Sequence, residues 1–444
     1  MEVYFHSVTL DESKCKGCTN CIKKCPTEAI RVREGKARII EQRCIDCGEC
    51  IRTCPNHAKV AVTDSLEGLN RFRYRVALPA PSFYGQFKPE VSLGRILGAL
   101  LELGFDTVYE VAWGAEAVSV AVQEFLARES GKRPLISSAC PAVIRLMQVR
   151  FPTLLDHVIP VDSPMEAAAK MAKRAKVQEL GLAEEEIGAF FITPCPAKVT
   201  AVKQPFGDNR TYVDGAISMS TVYGEVLKAL PEAQDRYDLV QSTGLGIGWG
   251  YSGGENRAIY QGQKSRFSFL AVDGIHSVIS LLEQMERGDD LKGIDYVEAQ
   301  ACIGGCIGGP LVPQNRFVSR VQLARIADTI GRPEEGIKRE EFLGLWKEGL
   351  LDLKGEIRPR PVMSLDPDIR KAIAKLEQLE KTVEDLPGLD CGSCGSPNCR
   401  ALAEDIVRGN ALETDCVFKL RERVKELAEE MVELAQKLPP AMGK

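Results

Sequence analysis

Histidine is scarce in this chain, with four in 444 residues. His6, His57, His157 and His276 stand at no spacing that would let two of them share a metal ion. No apolar run reaches the ~18 residues that a membrane-crossing helix needs. The start, MEVYFHSVTLDESKC, shows no basic region followed by an apolar core, no twin-arginine signal and no cleavage site, so a cytoplasmic protein without membrane contact is expected. Charge is nearly balanced, 57 Lys and Arg against 62 Asp and Glu for a net −5, and no basic tract occurs. Nucleic acid is therefore excluded as an expected partner. What the chain does have is cysteine, sixteen of them. In a reducing compartment clustered thiols point to metal or redox chemistry and away from structural disulfides. The 44% hydrophobic content supports large buried cores, and the length fits about three domains at roughly 150 residues each.

The cysteines fall into four sets of four. Two are copies of one unit, CKGCTNCIKKCP from Cys15 and CIDCGECIRTCP from Cys44, joined by β-type stretches such as AIRVREGKARIIE. Each copy reads C-x2-C-x2-C-x3-C-P. Thiolates so spaced wrap three corners of a cubane while the fourth reaches the other cluster. Cys15, Cys18 and Cys21 should pair with Cys54, and Cys44, Cys47 and Cys50 with Cys25. Two zinc sites are the alternative, but zinc does not favour a third cysteine two residues on followed by x3-C-P. This portion resembles bacterial two-cluster ferredoxins over residues 1 to about 65.

Beyond about residue 75, strand-like runs (RYRVALPA, GAFFITP, FSFLAVDG) alternate with helical ones (LGRILGALLELG, PMEAAAKMAKRAKVQELG, VISLLEQMER) until about residue 350. The alternation predicts sheets covered by helices, with strand-end loops free to build a site. Four isolated cysteines lie there: Cys140 in LISSACPAV, Cys195 in FFITPCPAK, and Cys302 and Cys306 in VEAQACIGGCIGG. Spacing alone leaves three readings open: zinc, a plain cubane, or unrelated buried thiols. A proline-marked boundary at IRPRPVMSLDPD precedes a charged helix, IRKAIAKLEQLEKTV. The last cysteines, Cys391, Cys394, Cys399 and Cys416, are spaced C-x2-C-x4-C-x16-C, which suits zinc or a cubane. After them Val417, Leu420, Val424, Leu427, Met431, Leu434 and Leu438 alternate by three and four, ended by Pro439 and Pro440. That pattern fits a helix packed on its own domain or a coiled-coil seam with another chain.

The isolated cysteines sit in segments that resemble the FeFe-hydrogenases, whose signatures read roughly T-S-C-C-P, M-P-C-x-x-K-x-x-E and E-x-M-A-C-x-x-G-C-x-x-G-G. Ser137-Ser138-Ala139-Cys140-Pro141, Thr193-Pro194-Cys195-Pro196-Ala197-Lys198 and Glu298-Ala299-Gln300-Ala301-Cys302-Ile303-Gly304-Gly305-Cys306 occur here in that order. Ala80-Pro81-Ser82 and Tyr251-Ser252-Gly253-Gly254 resemble two further family segments. The resemblance spans about residues 75 to 330. It implies an H-cluster, a 4Fe-4S cubane joined to a di-iron unit carrying CO, cyanide and a bridging azadithiolate. It further implies that Cys140, Cys195, Cys302 and Cys306 hold the cubane, that Cys306 bridges to the di-iron unit, and that Lys198 and the Pro81–Ser82 segment contact the cyanides. The C-terminal stretch, with its C-G-x-C-G-x-x-x-C and A-E-D-I-V-x-G elements, resembles the small 4Fe-4S domain of corrinoid proteins and sensory FeFe-hydrogenases.

Departures from the family pattern carry as much information. Where catalytic members have a proton-shuttling cysteine, this chain has Ala139, and a methyl group carries no proton. The relay serine aligns with Ile159 and a relay glutamate falls near Val122; Ala201 replaces the second motif's glutamate, Thr193 and Gln300 replace two methionines, and Met165 replaces a glutamine. Since positioned acid-base groups contribute about 10² to 10⁴ in rate, the expectation is a slow enzyme with intact metal chemistry.

The expected fold is a multidomain α/β and α+β protein: a two-cluster ferredoxin domain over 1–75, an H-cluster domain of two α/β lobes over 76–355, and a linker helix, small 4Fe-4S domain and heptad helix over 356–444. The expected function is reversible oxidation of H2 to protons and electrons, in the service of sensing H2 or redox state. Expected partners are a redox protein such as ferredoxin, and a signalling protein or second copy at the C-terminal helix. The alternatives are a fast ferredoxin-linked hydrogenase and an iron-sulfur assembly protein lacking the di-iron unit.

Overall fold

A computed structural model describes residues 4–128, 131–207, 210–260, 267–288, 291–331 and 338–437. The chain forms two compact units. The first comprises residues 1–9, 45–48 and 61–360; the second comprises 10–44, 49–60 and 361–444.

The first unit holds two parallel sheets. In one, the strands run in the order Thr107–Val108, Tyr74–Pro79, Ile187–Thr193, Gly215–Ser218. In the other the order is Phe269–Asp273, Tyr296–Gln300, Leu135–Ile136. The seven residues of Ile187–Thr193 are all buried, as expected of a strand covered on both faces. Covering helices include Leu93–Leu101, whose apolar face is buried, and Pro164–Leu180. The helix Val111–Arg128 is buried over most of its length and packs on the alanine-rich Pro164–Leu180. These are the two α/β lobes that the alternation of strand-like and helical runs predicts.

Motif placement follows from the topology. Ala80-Pro81 follows the strand Tyr74–Pro79, Ser137 to Cys140 follow Leu135–Ile136, Pro194-Cys195 follow Ile187–Thr193, and Cys302 to Cys306 follow Tyr296–Gln300. All four segments leave the carboxyl ends of parallel strands, the edge where open α/β sheets bind their ligands.

In the second unit, AIRVREGKARIIE folds as the antiparallel pair Ile30–Arg33 and Lys36–Ile39. Short helices Asn20–Lys23 and Glu49–Thr53 each carry a cysteine of the repeated unit, Cys21 and Cys50. The C-terminal portion supplies Ile369–Asp385, Cys399–Val407 and Val417–Lys437. The last of these buries no residue, and Val424, Met431 and Leu434 are more than half exposed. Leu438, Pro439 and Pro440 lie outside the described residues.

Candidate metal centre

Cys140, Cys195, Cys302 and Cys306 line one cavity together, enclosing about 750 Å³ of atom-free space. Cys140 and Cys195 are the N-caps of helices Pro141–Arg150 and Pro196–Lys203, each with proline at the first helical position, where its missing N–H costs nothing. Both thiols thus sit at positive helix ends, which favour an anionic occupant. Burial pushes all three of the Cys140, Cys195 and Cys306 thiols up, Cys306 to about 12, and neighbouring thiols add to the effect. Four convergent, desolvated thiols are costly as free anions. A cationic metal centre would displace their protons and hold them as thiolates.

The cavity floor is built by glycine. Gly305 has φ +89°, and a Cβ there would stand 2.5 Å from the Gln300 Oε1 and 2.6 Å from the Ser252 N. Only glycine lets the chain turn between Cys302 and Cys306 this close to its neighbours.

Of the other residues singled out by sequence, Ala139, Pro81, Lys198, Met165 and Gln300 line the same cavity. The Lys198 ammonium is buried and donates to the Ala139 carbonyl at 3.2 Å. Ser82 is fully buried, and its Oγ has no protein partner; the same holds for the Oε1 of the buried Gln300. Buried polar atoms are almost always bonded, so the orphaned amide oxygen of Gln300 fits a polar ligand beside the thiols, and Ser82, with its orphaned hydroxyl, directly follows Pro81 of the cavity lining. Among the described residues lining the cavity, the four thiols, this amide oxygen and the Lys198 cation are a donor set that fits an iron-sulfur centre with polar ligands.

Four of the departure positions lie off this cavity. Ile159 and Val122 are buried core residues, Thr193 donates its hydroxyl to the Cys195 carbonyl at 2.9 Å, and Ala201 lines a neighbouring cavity with Asp162 and Lys170. Neither aligned relay position holds a titratable group, and neither reaches the thiols.

The structure instead brings two carboxylates to the site that motif reading passed over. Glu255 lines the cavity and accepts from the Tyr296 hydroxyl at 2.6 Å and from Ser137. Glu298 accepts from the Gly253 N–H at 2.8 Å and the Asn256 N–H at 3.0 Å, both at the start of helix Gly254–Tyr260. Burial pushes both carboxyls well above the ordinary range, and at Glu255 the charge of Glu298 adds to it. In the sequence Glu298 reads only as the opening letter of the third motif, and Glu255 has no motif signal.

In the second unit, Cys15, Cys18, Cys21 and Cys54 line a common cavity with Val32 and Lys59. This is the crossed pairing expected from the repeat. Backbone N–H groups of Ala37, Ala29 and Ala58 point at the sulfurs of Cys15, Cys25 and Cys54 at 3.4, 3.2 and 3.3 Å, the kind of bond that tunes a cluster's potential. The Cys50 thiol is pushed up to about 12 by burial and then by the proximity of Cys25. Cys44 is half-buried and Cys47 is buried. Among the last four, Cys394, Cys399 and Cys416 share a small core with Leu379, Leu386 and Leu402, and Cys391 lies close enough to Cys394 to perturb it. All sixteen cysteines are free of disulfides.

Residues 73–310, more than half of the chain, match the family described as the iron only hydrogenase large subunit, C-terminal domain. The chain belongs to that family. Residues 7–55 match a 4Fe-4S dicluster domain and residues 386–418 an iron-sulfur cluster family. Among curated hydrogenases, the chain is 26% identical over 367 residues to the periplasmic Fe hydrogenase large subunit of Nitratidesulfovibrio vulgaris, covering 69% of this chain and 87% of the relative. It is 23% identical over 347 residues to the NADP-reducing hydrogenase subunit HndD of Solidesulfovibrio fructosivorans, covering 68% of this chain and 56% of that one. A solved FeFe-hydrogenase of Chlamydomonas reinhardtii is similar at 18% identity with a TM-score of 0.49, covering 67% of this chain and 98% of the other. The family matches make the chain an iron-sulfur protein of the FeFe-hydrogenase type. No helix among the described residues is long and apolar enough to cross a membrane.

Proposed function

We propose that this chain holds an H-cluster on Cys140, Cys195, Cys302 and Cys306, oxidises H2 reversibly and slowly, and uses that reaction to report H2 or redox state. When bound, the H-cluster supplies the site at which H2 is split into protons and electrons. The chain's own residues do the rest. Cys306 would hold the cluster together with Cys140, Cys195 and Cys302, whose cavity it shares. Lys198 and the Pro81–Ser82 segment offer an ammonium and an unpartnered hydroxyl to the cyanides. The repeated cysteine units hold two 4Fe-4S relays, and Cys391, Cys394, Cys399 and Cys416 hold a third.

One observation carries the sensory reading: at the cavity wall next to Cys140, where a thiol would hand protons on, stands the methyl of Ala139. Without that thiol the remaining proton route runs through Glu255, whose neighbours Tyr296 and Ser137 are buried with it. Slow turnover suits a sensor, for which occupancy matters more than flux. The exposed apolar row of Val417–Lys437 supports an output surface for a signalling protein or a second copy of the chain. Its 3-4 spacing fits a coiled-coil seam. A cytoplasmic setting, where thiols stay reduced until metal is delivered, suits a chain with sixteen cysteines assigned to clusters.

Infrared spectroscopy of the matured protein under H2, CO and N2 tests the cofactor, and film voltammetry tests the rate. CO and CN stretches that respond to H2, together with currents far below those of relay-intact enzymes, are the expected result. Absence of those stretches after maturation removes the hydrogenase reading in favour of an assembly role. Currents matching relay-intact enzymes remove the sensory one.

A further inference from the structure

The A-E-D-I-V element of the C-terminal module bears no cysteine, yet it supplies two buried carboxylates that bind arginines of the ferredoxin-like portion. Asp405 accepts a two-pronged bond from Arg31, Nε to Oδ2 at 2.6 Å and Nη2 to Oδ1 at 3.1 Å. It also accepts from Arg33 at 3.1 Å. Glu404 binds both terminal nitrogens of Arg43 and accepts from Arg408 Nε at 2.8 Å. Arg31, Arg43, Glu404 and Asp405 are all buried. Burial pushes Glu404 upward, but the hydrogen bonds and charges of Arg43 and Arg408 leave its carboxyl below the ordinary range. Planar two-pronged pairs of this kind fix geometry as well as supply attraction. Arg31, Arg33 and Arg43 belong to the ferredoxin-like portion, between and beside its cysteine units. The clamp therefore ties helix Cys399–Val407 to the hairpin Ile30–Arg33 and Lys36–Ile39.

The clamp brings the third cysteine loop onto the first cluster cavity. Arg33 reaches past Asp405 to donate to the Cys394 carbonyl at 2.7 Å and to Ser396 Oγ at 3.1 Å. The Val32 N–H donates to the Gly395 carbonyl at 2.8 Å, and Val32 itself lines the cavity of Cys15, Cys18, Cys21 and Cys54. Lys23, two residues after Cys21, donates to the Asp390 carbonyl at 3.3 Å, next to Cys391. Gly395 has φ +80°, and a Cβ there would overlap the Val32 carbonyl oxygen. Both the backbone conformation and the close approach demand glycine.

We propose that Val32 and Gly395 form the electron path between the C-terminal cluster and the cluster held by Cys15, Cys18, Cys21 and Cys54, with Glu404 and Asp405 as the residues that set its length. The path runs from Cys394 along the chain to the Gly395 carbonyl, across one hydrogen bond, and through Val32 into the first cavity. Tunnelling decays steeply with distance, and this route needs only two non-covalent steps, the Val32–Gly395 hydrogen bond and the van der Waals step from Val32 into the cavity it lines. One electron crosses in the step. The donor cubane goes from its 1+ to its 2+ core as the acceptor goes from 2+ to 1+, no bond forms or breaks, no proton moves, and the electron originates in H2 or in an added reductant. The C-terminal module is thereby the far terminal of the relay, and the helix Val417–Lys437, which begins directly after Cys416, starts at a redox centre.

This rests on the reading of Cys391, Cys394, Cys399 and Cys416 as a 4Fe-4S site, and not on turnover of H2. The test is electron paramagnetic resonance of the full-length matured protein reduced with dithionite, with iron and zinc determined on the same sample. Beyond the interaction between the two clusters of the repeated units, the wild type should show a further magnetic interaction that disappears in Cys416→Ser together with the iron of one cluster. Gly395→Ala, which pushes the loop off Val32 but keeps every cysteine, should keep the iron and lose the interaction. Asp405→Asn should weaken it without loss of iron; should that variant lose iron or fold, Gly395→Ala alone decides the matter. Zinc in place of the third cluster, or a wild-type spectrum without the further interaction, overturns the proposal. So does a further interaction that survives unchanged in Gly395→Ala. The infrared response of the H-cluster is read separately, so loss of the hydrogenase reading leaves this result standing.

Discussion

Tyr296 donates its phenolic hydrogen to the Glu255 carboxylate at 2.6 Å, with both residues buried at the cavity that Cys140 and Cys306 line. Ser137 bonds the same carboxylate and accepts from the Ala139 N–H at 3.2 Å, so the polar chain ends on the backbone of the very residue that lacks the thiol. Glu255→Gln keeps the volume and the bond to Tyr296 but holds no exchangeable acid proton. It should lower H2 oxidation and evolution by about 100-fold, the low end of the about 10² to 10⁴ that a positioned acid-base group contributes. Infrared bands of unchanged number and intensity would show that the cofactor is retained. Unchanged turnover with the bands intact would remove Glu255 from the proton route.

Ala139→Cys places a thiol at the cavity wall beside Cys140. Turnover should rise about tenfold or more if the last proton transfer limits the rate. Combining it with Glu255→Gln separates two routes. A gain that persists without Glu255 means the new thiol has found its own path; a gain that vanishes means the two act in series.

Lys198→Met removes the cation and keeps the stem. The Lys198 ammonium is the one charged group placed among the four thiols, bonded to the Ala139 carbonyl. After maturation this variant should keep the iron of its cubanes and lose most CO and CN infrared intensity. Full intensity in the variant would show that Lys198 does not hold the di-iron unit.

Glu116, on the buried helix Val111–Arg128, accepts from the Thr243 N–H at 2.6 Å and is pushed up to about 7 by burial, against hydrogen bonds from Thr243 and Gly246. The folded chain thus holds this proton more tightly than the unfolded chain, whose carboxyl titrates near 4.3. Stability is fullest below the unfolded pKa and falls as pH rises from about 4.5 through 7, by on the order of 3–4 kcal/mol from this group. In Glu116→Gln that portion of the slope should vanish from thermal melts recorded between pH 4.5 and 8. An unaltered slope would show that Glu116 ionises in the folded state without penalty.

The chemistry of the first eight cysteines was readable from spacing because cluster ligands recur at loop-sized intervals, whereas the four isolated ones needed the motifs around them; the lobes were readable from alternation because a strand covered on both faces, such as Ile187–Thr193, is apolar throughout. What stayed hidden depends on contacts far apart in the chain. Glu255 looks like any helix-start acid until the Tyr296 strand is folded against it. Glu404 and Asp405 read as a family element without a stated job, since Arg31, Arg33 and Arg43 lie more than 350 positions away. The relay positions at Ile159 and Val122 could be aligned but not replaced by inspection, because the alternative acids occupy different strands and helices. The 3-4 pattern of Val417–Lys437 left two readings open, and the exposure of Val424, Met431 and Leu434 is what sets it apart from a helix packed into its own domain.

The contrast between Cys306 and Cys391 bears on how the protein is assembled. Burial holds the Cys306 thiol protonated at neutral pH, up at about 12, whereas the Ser393 hydroxyl and nearby backbone bonds lower the thiol of the exposed Cys391. Before metal arrives, the deep pocket is therefore chemically quiet toward alkylating agents and peroxide, and the surface loop is the vulnerable one. Damage in air therefore begins at the exposed Cys391 loop, so a chain can arrive at the iron-delivery machinery with its buried cradle unharmed and that loop already oxidised.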